Sequence, residues 1–474
     1  MRTKHLIPNH AAGLTYANAY AAAPRESHGD GGGAVDPFEA FPDAVLGLIV
    51  SKLPFRSAVA ASAISRRWRG AVAAAPELDL DFAAAFPAAP RRRTAFAAAA
   101  TAALAGSRQR PLRRLRLALD GFFDQVFAAS AASHVASWLD AAAARGVEQL
   151  ELHLPRSRLA VLPPSLLACT DLTSLTLRLD HNALPLPSLC PLTHLSRLHL
   201  ASISLVGCGD FFEDLCSHCT QLSCLSLEQC HIGALRLAGT PRLRSLDIAS
   251  CSWTQQSSVA IAEMPALRTL RYSGAMANRH MINDADSLDE VVLTIEPQVK
   301  LLEPNLRELL VLVGNVRSLV LSPWCIEQFA HPEEWSKVRL DKVRRLACII
   351  ERREEGALSI APLLTSCPNV QRLSVSVVPS QSKRRRCSDT GVQYGVIGSR
   401  RMIVRNLREI RMEYIDESKS GLDLVKLLLK NAQMLEMMTI VPSMDGLDQA
   451  KFRRRVLKFR KASRNVNIQF SATT

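Results

Sequence analysis

Residues 216–219 read Cys-Ser-His-Cys, with Cys208, Cys224, Cys230 and His231 near them in the chain. Zinc takes thiolate and imidazole ligands, and a Cys-x-x-Cys pair offers two of them from one turn. The surrounding leucines argue for a different role. Cys219 stands three residues before Leu222, the offset at which Cys169 precedes Leu172 and Cys367 precedes Val370. Cys230 follows Leu227 by three, as Cys251 follows Ile248. Thiols that recur in phase with a repeat are placed by that repeat, whose turns often take Asn or Cys. We therefore expect structural cysteines, no metal ligands and no cofactor. The sequence also contains no G-x-x-x-x-G-K-[ST], G-x-S-x-G, H-E-x-x-H or G-x-G-x-x-G, the patterns that build a phosphate cradle, an elbow serine, a zincin or a dinucleotide fold. The expectation is a protein without its own catalytic residues.

The elements behind those cysteines are repeats of L-x-x-L-x-L. They begin at Val147, Leu172, Leu195, Leu222, Leu243, Leu267, Leu288 and Leu306, with looser copies at Val343 and Val370 and an early one at Leu112. The spacing brackets the usual leucine-rich-repeat length. Each unit gives one short strand with its leucines turned inward, and a single unit cannot cover that apolar face, so neighbours stack into a parallel-sheet solenoid. The residue between the last two apolar positions faces outward. That rule lines up Thr176, His199, Ser226, Asp247, Arg271, Val292 and Leu310 as candidate target-binding residues. Val292 and Leu310 are aliphatic, so they call for a cover, either a bound partner or the chain's own C-terminal segment.

The expected fold is a mixed α/β (α+β) one, in six segments. Residues 1–36, rich in Ala, Asn and Gly, read as a flexible tail. Residues 37–82 form a small helical module in which Val45, Leu46, Ile49 and Leu53 recur at helical spacing. Ser57 is the expected N-cap of a second helix carrying Val59, Ala60, Ala63, Ile64 and, on the same face, Trp68. Residues 83–111 are an alanine-rich helical linker, 112–378 the repeats, 379–401 a basic loop, and 402–474 a closing segment of helices and strands. Gly146 is expected to end the helix of residues 124–144.

The net charge of +14 is uneven, since residues 383–474 hold 20 Lys+Arg against 9 Asp+Glu. The run Lys383–Arg386 reads as a solvated loop or a nuclear-import signal. No aromatic residue interleaves the basic clusters at 383–386 and 400–405, as a nucleic-acid stacking surface would require, so nucleic acid is not the expected partner. No run of about 18 uncharged apolar residues occurs, so no membrane partner is expected. Leu6 and Ile7 are stopped by Pro8, short of a signal-peptide core. Twelve cysteines without such a leader point to reduced thiols in cytoplasm or nucleus, with an organellar transit peptide left open by the lack of acidic residues in 1–25.

Residues 38–80 resemble an F-box. Phe41-Pro42-Asp43 stands where the family has a Leu-Pro-Asp-like start, Leu53-Pro54 follows an amphipathic helix, and Ser65-Arg66-Arg67-Trp68-Arg69 ends the segment. With irregular leucine-rich repeats behind it, the chain resembles the plant F-box/LRR group, and 402–474 is similar to the FBD domain that closes many of its members. The resemblance implies a non-catalytic, substrate-recruiting subunit of a cullin-type (SCF) ubiquitin ligase. It would bind a Skp-family adaptor, and through it the cullin and RING subunits, and present an unknown target protein. The adaptor-docking candidates are Phe41, Pro42, Leu46, Ile49, Leu53, Pro54, Val59, Ile64 and Trp68. Two short helices with about eight apolar side chains cannot enclose a core alone, so these residues are expected to need a partner surface. The alternative is a leucine-rich-repeat scaffold outside any ligase.

Overall fold

The computed structural model describes residues 38, 41–85, 92–105, 111–123, 127–154, 162–180, 186–208, 210–283, 286–296, 303–329, 338–352, 360–379, 404–443 and 449–471. The expected tail at 1–36 and the basic run at 383–386 lie outside these residues. The chain divides into two units, Met1–Pro42 and Asp43–Thr474. In the first, Phe38, Phe41 and Pro42 are exposed, and the rings of Phe38 and Phe41 stand 6.2 Å apart.

The second unit opens with helices α1 (Asp43–Ser51), α2 (Phe55–Ile64) and α3 (Arg66–Ala73). Pro54 precedes α2, which places Ser57 in the first turn and not at the N-cap. The chain then breaks at Ser65, whose hydroxyl accepts from the Trp68 amide at 3.3 Å and caps α3. Trp68 thus belongs to a separate helix from Val59 and Ile64, because an extended N-cap residue interrupts the face that continuous helical spacing would build. Gly47 lets α1 approach the carbonyls of Ala71 and Ala74, where an added Cβ would touch within 3.8 Å.

These helices do not wait for a partner to complete their core. They pack on the strand Glu77–Asp81 and the helix Arg93–Leu104, through Phe55 edge-on to Phe96 at 5.3 Å. Phe96 in turn meets Phe82, Phe122 and Trp138 at 5.2, 5.6 and 6.1 Å. Edge-to-face pairs of this kind contribute ~1 kcal/mol each beyond the area they bury. The buried Arg145 donates to the Ala75 carbonyl at 3.2 Å, tying the end of the helical module to the first repeats. The alanine-rich linker supplies what the short helices lack.

The helix Ala128–Ala144 ends in a Schellman arrangement: Gly146 N donates to Ala143 O and Val147 N to Ala142 O, with Gly146 at a φ of 63°. The repeats follow. All eighteen described strands pair in parallel. The main ladder runs from Glu77–Asp81 through Arg114–Ala118, Gln149–His153, Ser174–Arg178, Arg197–Ala201, Cys224–Glu228, Ser245–Ala262, Thr269–Gly274, Glu290–Ile295, Ser318–Leu321, Arg345–Glu351 and Arg372–Val378. It continues into Glu409–Ile415, Met437–Pro442 and Asn467–Phe470. The C-terminal segment therefore extends the sheet and adds rungs to it. Leucines at one offset are register partners, as in Leu175↔Leu198↔Leu225↔Leu246↔Leu270, all buried. In the middle of the chain Ser204–Leu205, His231–Ala238, the second half of Ser245–Ala262 and Arg279–Ile282 form a second parallel ladder. No helix among the described residues is long and apolar enough to cross a membrane.

Candidate functional site

Two surfaces carry the sequence-derived residues. On the helical module, Leu46 is 0% and Trp68 6% exposed, both inside the core. Ile49, Leu53 and Val59 are half-buried against it, Pro54 is exposed, and the Ile64 side chain lies outside the described residues. Leu46 and Trp68 thus pack into the module's own core and leave almost no surface of their own for docking. The large apolar side chain that α1 turns to solvent is Leu48, 53% exposed. It escaped the sequence reading because it falls off the Val45-Leu46-Ile49-Leu53 stripe, and only knowledge of what covers that stripe exposes the opposite face. Arg67 pairs with Asp43 at 3.0 Å, so one arginine of the Ser-Arg-Arg-Trp-Arg segment links α3 to the start of α1.

The second surface is the solvent face of the main sheet. Parallel register aligns Asp79, Arg116, Glu151, Thr176, His199, Ser226, Asp247, Arg271 and Val292 in one column. Its start is a charge network: Arg116 meets Asp79 at 2.8 Å, Asp81 at 3.2 Å and Glu151 at 3.1 Å. Burial pulls the Arg116 pKa down, but the hydrogen bonds and charges of Asp79, Glu151 and Asp81 win and leave it raised. Further along, Glu228 takes Arg178 at 3.1 Å and His199 at 3.2 Å. Asp247 is pushed up by burial, against the pull of Arg271 and His199, and its Oδ1 lies 4.0 Å from Arg271 Nε.

Leu310 is not in this column. It is 0% exposed on the helix Glu303–Leu312, where Leu306, Leu309 and Leu310 are buried at helical spacing, with Val313 buried just beyond its end. Leu-Arg-Glu-Leu-Leu-Val satisfies both the repeat pattern and a 3.6-residue period, and the helix wins because the true strand, Ser318–Leu321, follows it. Val320 takes the place expected for Leu310, in register with Val292 on one side and Ala347 on the other. With Ser374 next in line, the column changes from ion pairs to a neutral, half-buried stretch before Arg411.

The phased cysteines are where the repeat places them. Cys219 is buried and donates towards Leu192 O at 3.5 Å, Cys230 towards Leu200 O at 3.3 Å and Cys251 towards Leu227 O at 3.5 Å. Burial pushes the Cys169 and Cys219 thiols up to about 12 and about 11, with nearby carboxylates adding to the first and nearby thiols to the second. Raised thiols of this kind are poor nucleophiles.

A model of the leucine-rich-repeat domain of At1g61320/AtMIF1 matches residues 109–467, and the F-box domain model matches residues 38–75. The chain belongs to that leucine-rich-repeat family and carries an F-box. Relatives share both parts in name. The F-box/LRR-repeat protein At1g06630 of Arabidopsis thaliana is 26% identical over 61% of this chain and 72% of its own. The F-box/FBD/LRR-repeat protein At2g26030 of the same plant is 24% identical over 83% of this chain and 89% of its own. A leucine-rich-repeat protein of Leptospira interrogans shares 12% identity at a TM-score of 0.27, over 76% of this chain and 90% of its own. In this family setting, α1 to α3 are the F-box helices and the parallel ladder is the leucine-rich-repeat sheet.

Proposed function

We propose that this chain is the substrate-recruiting subunit of a cullin-type (SCF) ubiquitin ligase. The F-box docks on a Skp-family adaptor, and the solvent face of the repeat sheet holds a target protein. The observation that carries the proposal is a three-helix F-box seated on one end of a leucine-rich sheet, with Leu48 left in solvent by the chain that buries Leu46 and Trp68. Such a chain needs no acid, base or nucleophile of its own. It raises the effective concentration of a target lysine near a thioester carried elsewhere in the assembly, which is catalysis by proximity. On the target side, the ion-paired part of the column gives register and selectivity, and the neutral stretch at Val292, Val320 and Ala347 gives apolar area.

Residues 402–474 are read as an FBD-like closing segment, supported by relatives that carry FBD in their names. Cytoplasm or nucleus is the compartment proposed with this function. A scaffold outside any ligase is the competing reading, favoured by one fact: the F-box helices share one buried core with later residues of their own chain. Affinity purification of the full chain separates the two. Recovery of a Skp-family adaptor with the wild type and its loss with Leu48→Asp, at unchanged melting temperature, supports the ligase subunit. Absence of any adaptor from the wild-type complex supports the scaffold.

A further inference from the structure

The spacing that suggested zinc pointed to residues that the repeat had already claimed, but a different set converges beside them. Cys190 lies in the turn before Leu192, and Asp214 and His218 are four apart on the helix Phe211–His218, hence on one face. Their donor atoms all lie within 4.8 Å of one another. Cys190 Sγ is 3.3 Å from His218 Nδ1. Ser188 Oγ is 2.7 Å from the same sulfur and donates to Asp214 Oδ2 at 3.0 Å. His218 Nδ1 also lies 2.9 Å from the Asp214 carbonyl of its own helix. Cys190 and Asp214 are half-buried and His218 is exposed, so the cluster is open to solvent on one side.

We propose that Cys190, Asp214 and His218 bind a zinc ion. A thiolate, an imidazole and a carboxylate form a donor set suited to Zn²⁺ and unsuited to Ca²⁺ or Mg²⁺, which require oxygen ligands. Zn–S and Zn–N bonds of about 2.3 and 2.0 Å at a tetrahedral angle put sulfur and nitrogen about 3.5 Å apart, close to the separation already present. Water completes the fourth position. Binding converts the Cys190 thiol to a thiolate and releases its proton, so affinity falls as pH falls, while ligation through His218 Nδ1 leaves the neutral ring's proton on Nε2 in place of its hydrogen bond to the Asp214 carbonyl. The ion would clip the segment before Leu192 to the end of the next repeat's helix, independently of any adaptor or target.

The test uses the purified full chain, stripped with chelator and then equilibrated with Zn²⁺ or with Co²⁺ as a spectroscopic substitute. We expect one metal per chain, a thiolate-to-Co²⁺ charge-transfer band, and a higher melting temperature with Zn²⁺. Cys190→Ser should abolish the band, and His218→Gln and Asp214→Asn should each weaken binding at least tenfold. Cys208→Ser and His231→Gln should change neither. His218 and Asp214 lie on a helix surface, so their variants decide the matter even where Cys190→Ser folds poorly. A wild-type protein without the band, or a band and stoichiometry that persist in His218→Gln and Asp214→Asn, would overturn the site.

Discussion

Val292 and Val320 are register partners on adjacent strands of the leucine-rich sheet, both half-buried on its solvent face. Leu310, ten residues before Val320, is wholly interior. The two aliphatic residues should therefore respond oppositely. Leu310→Ala empties a core position and should cost ~2–5 kcal/mol, whereas Val320→Ala should cost under ~1 kcal/mol. Denaturant midpoints of the two variants provide the comparison. If the sheet face holds the target, Val320→Asp also removes target capture from a protein of near-normal stability.

Trp68 offers a second contrast. The F-box resemblance makes it a candidate for facing the adaptor, yet it is buried within the chain's own core. Trp68→Ala should lower stability by ~3–5 kcal/mol and reduce adaptor recovery only in step with the lost fold. A variant that melts like the wild type but no longer binds adaptor would show Trp68 to be a direct contact.

Gly274 ends the strand Thr269–Gly274 at a φ of 86°, and a Cβ there would lie 2.8 Å from Ser250 Cα in the neighbouring strand. Both the left-handed backbone and the close approach exclude a side chain. Gly274→Ala should destabilise the chain by ~2 kcal/mol or more. Gly239, also at positive φ (66°) but with open space around the Cβ position, should tolerate alanine at the smaller cost of the backbone alone. Melting curves of both variants separate clash from conformation.

The leucine phase made the ladder legible, because a residue repeated at one offset in parallel strands has nowhere to go but the same buried row. Leu306–Val311 broke the reading for a physical reason: a hexapeptide can satisfy a two-residue and a 3.6-residue period at once, and only the next strand at Ser318 decides between them. The F-box stripe was legible, but which side of it met solvent was not, since that depends on Phe96 and the helix that carries it, far along the chain. The cluster of Cys190, Asp214 and His218 was hidden for the same reason. Asp214 and His218 are four apart on one helix, but Cys190 reaches them only through the fold, 28 residues from His218 in sequence, and no short spacing announces all three.

His280 ties stability to pH. It is 6% exposed on Arg279–Ile282, its ring 5.7 Å from that of Tyr272, and neither nitrogen has a hydrogen-bond partner among the described residues. Burial lowers its pKa from 6.5 to about 4. The neutral ring is thus the folded form, while the unfolded chain takes up a proton as pH drops through 6.5. Stability contributed by the neutral ring is fully present above that value and is lost on the way down to about 4, at ~1.4 kcal/mol per pH unit at most. Between pH 7.5 and 5 the wild type should lose ~2 kcal/mol from this residue alone. His280→Phe removes the titration and keeps a ring beside Tyr272, so its unfolding free energy should fall less over the same interval. Parallel wild-type and variant curves from pH 7.5 to 5 would rule out His280 as the source.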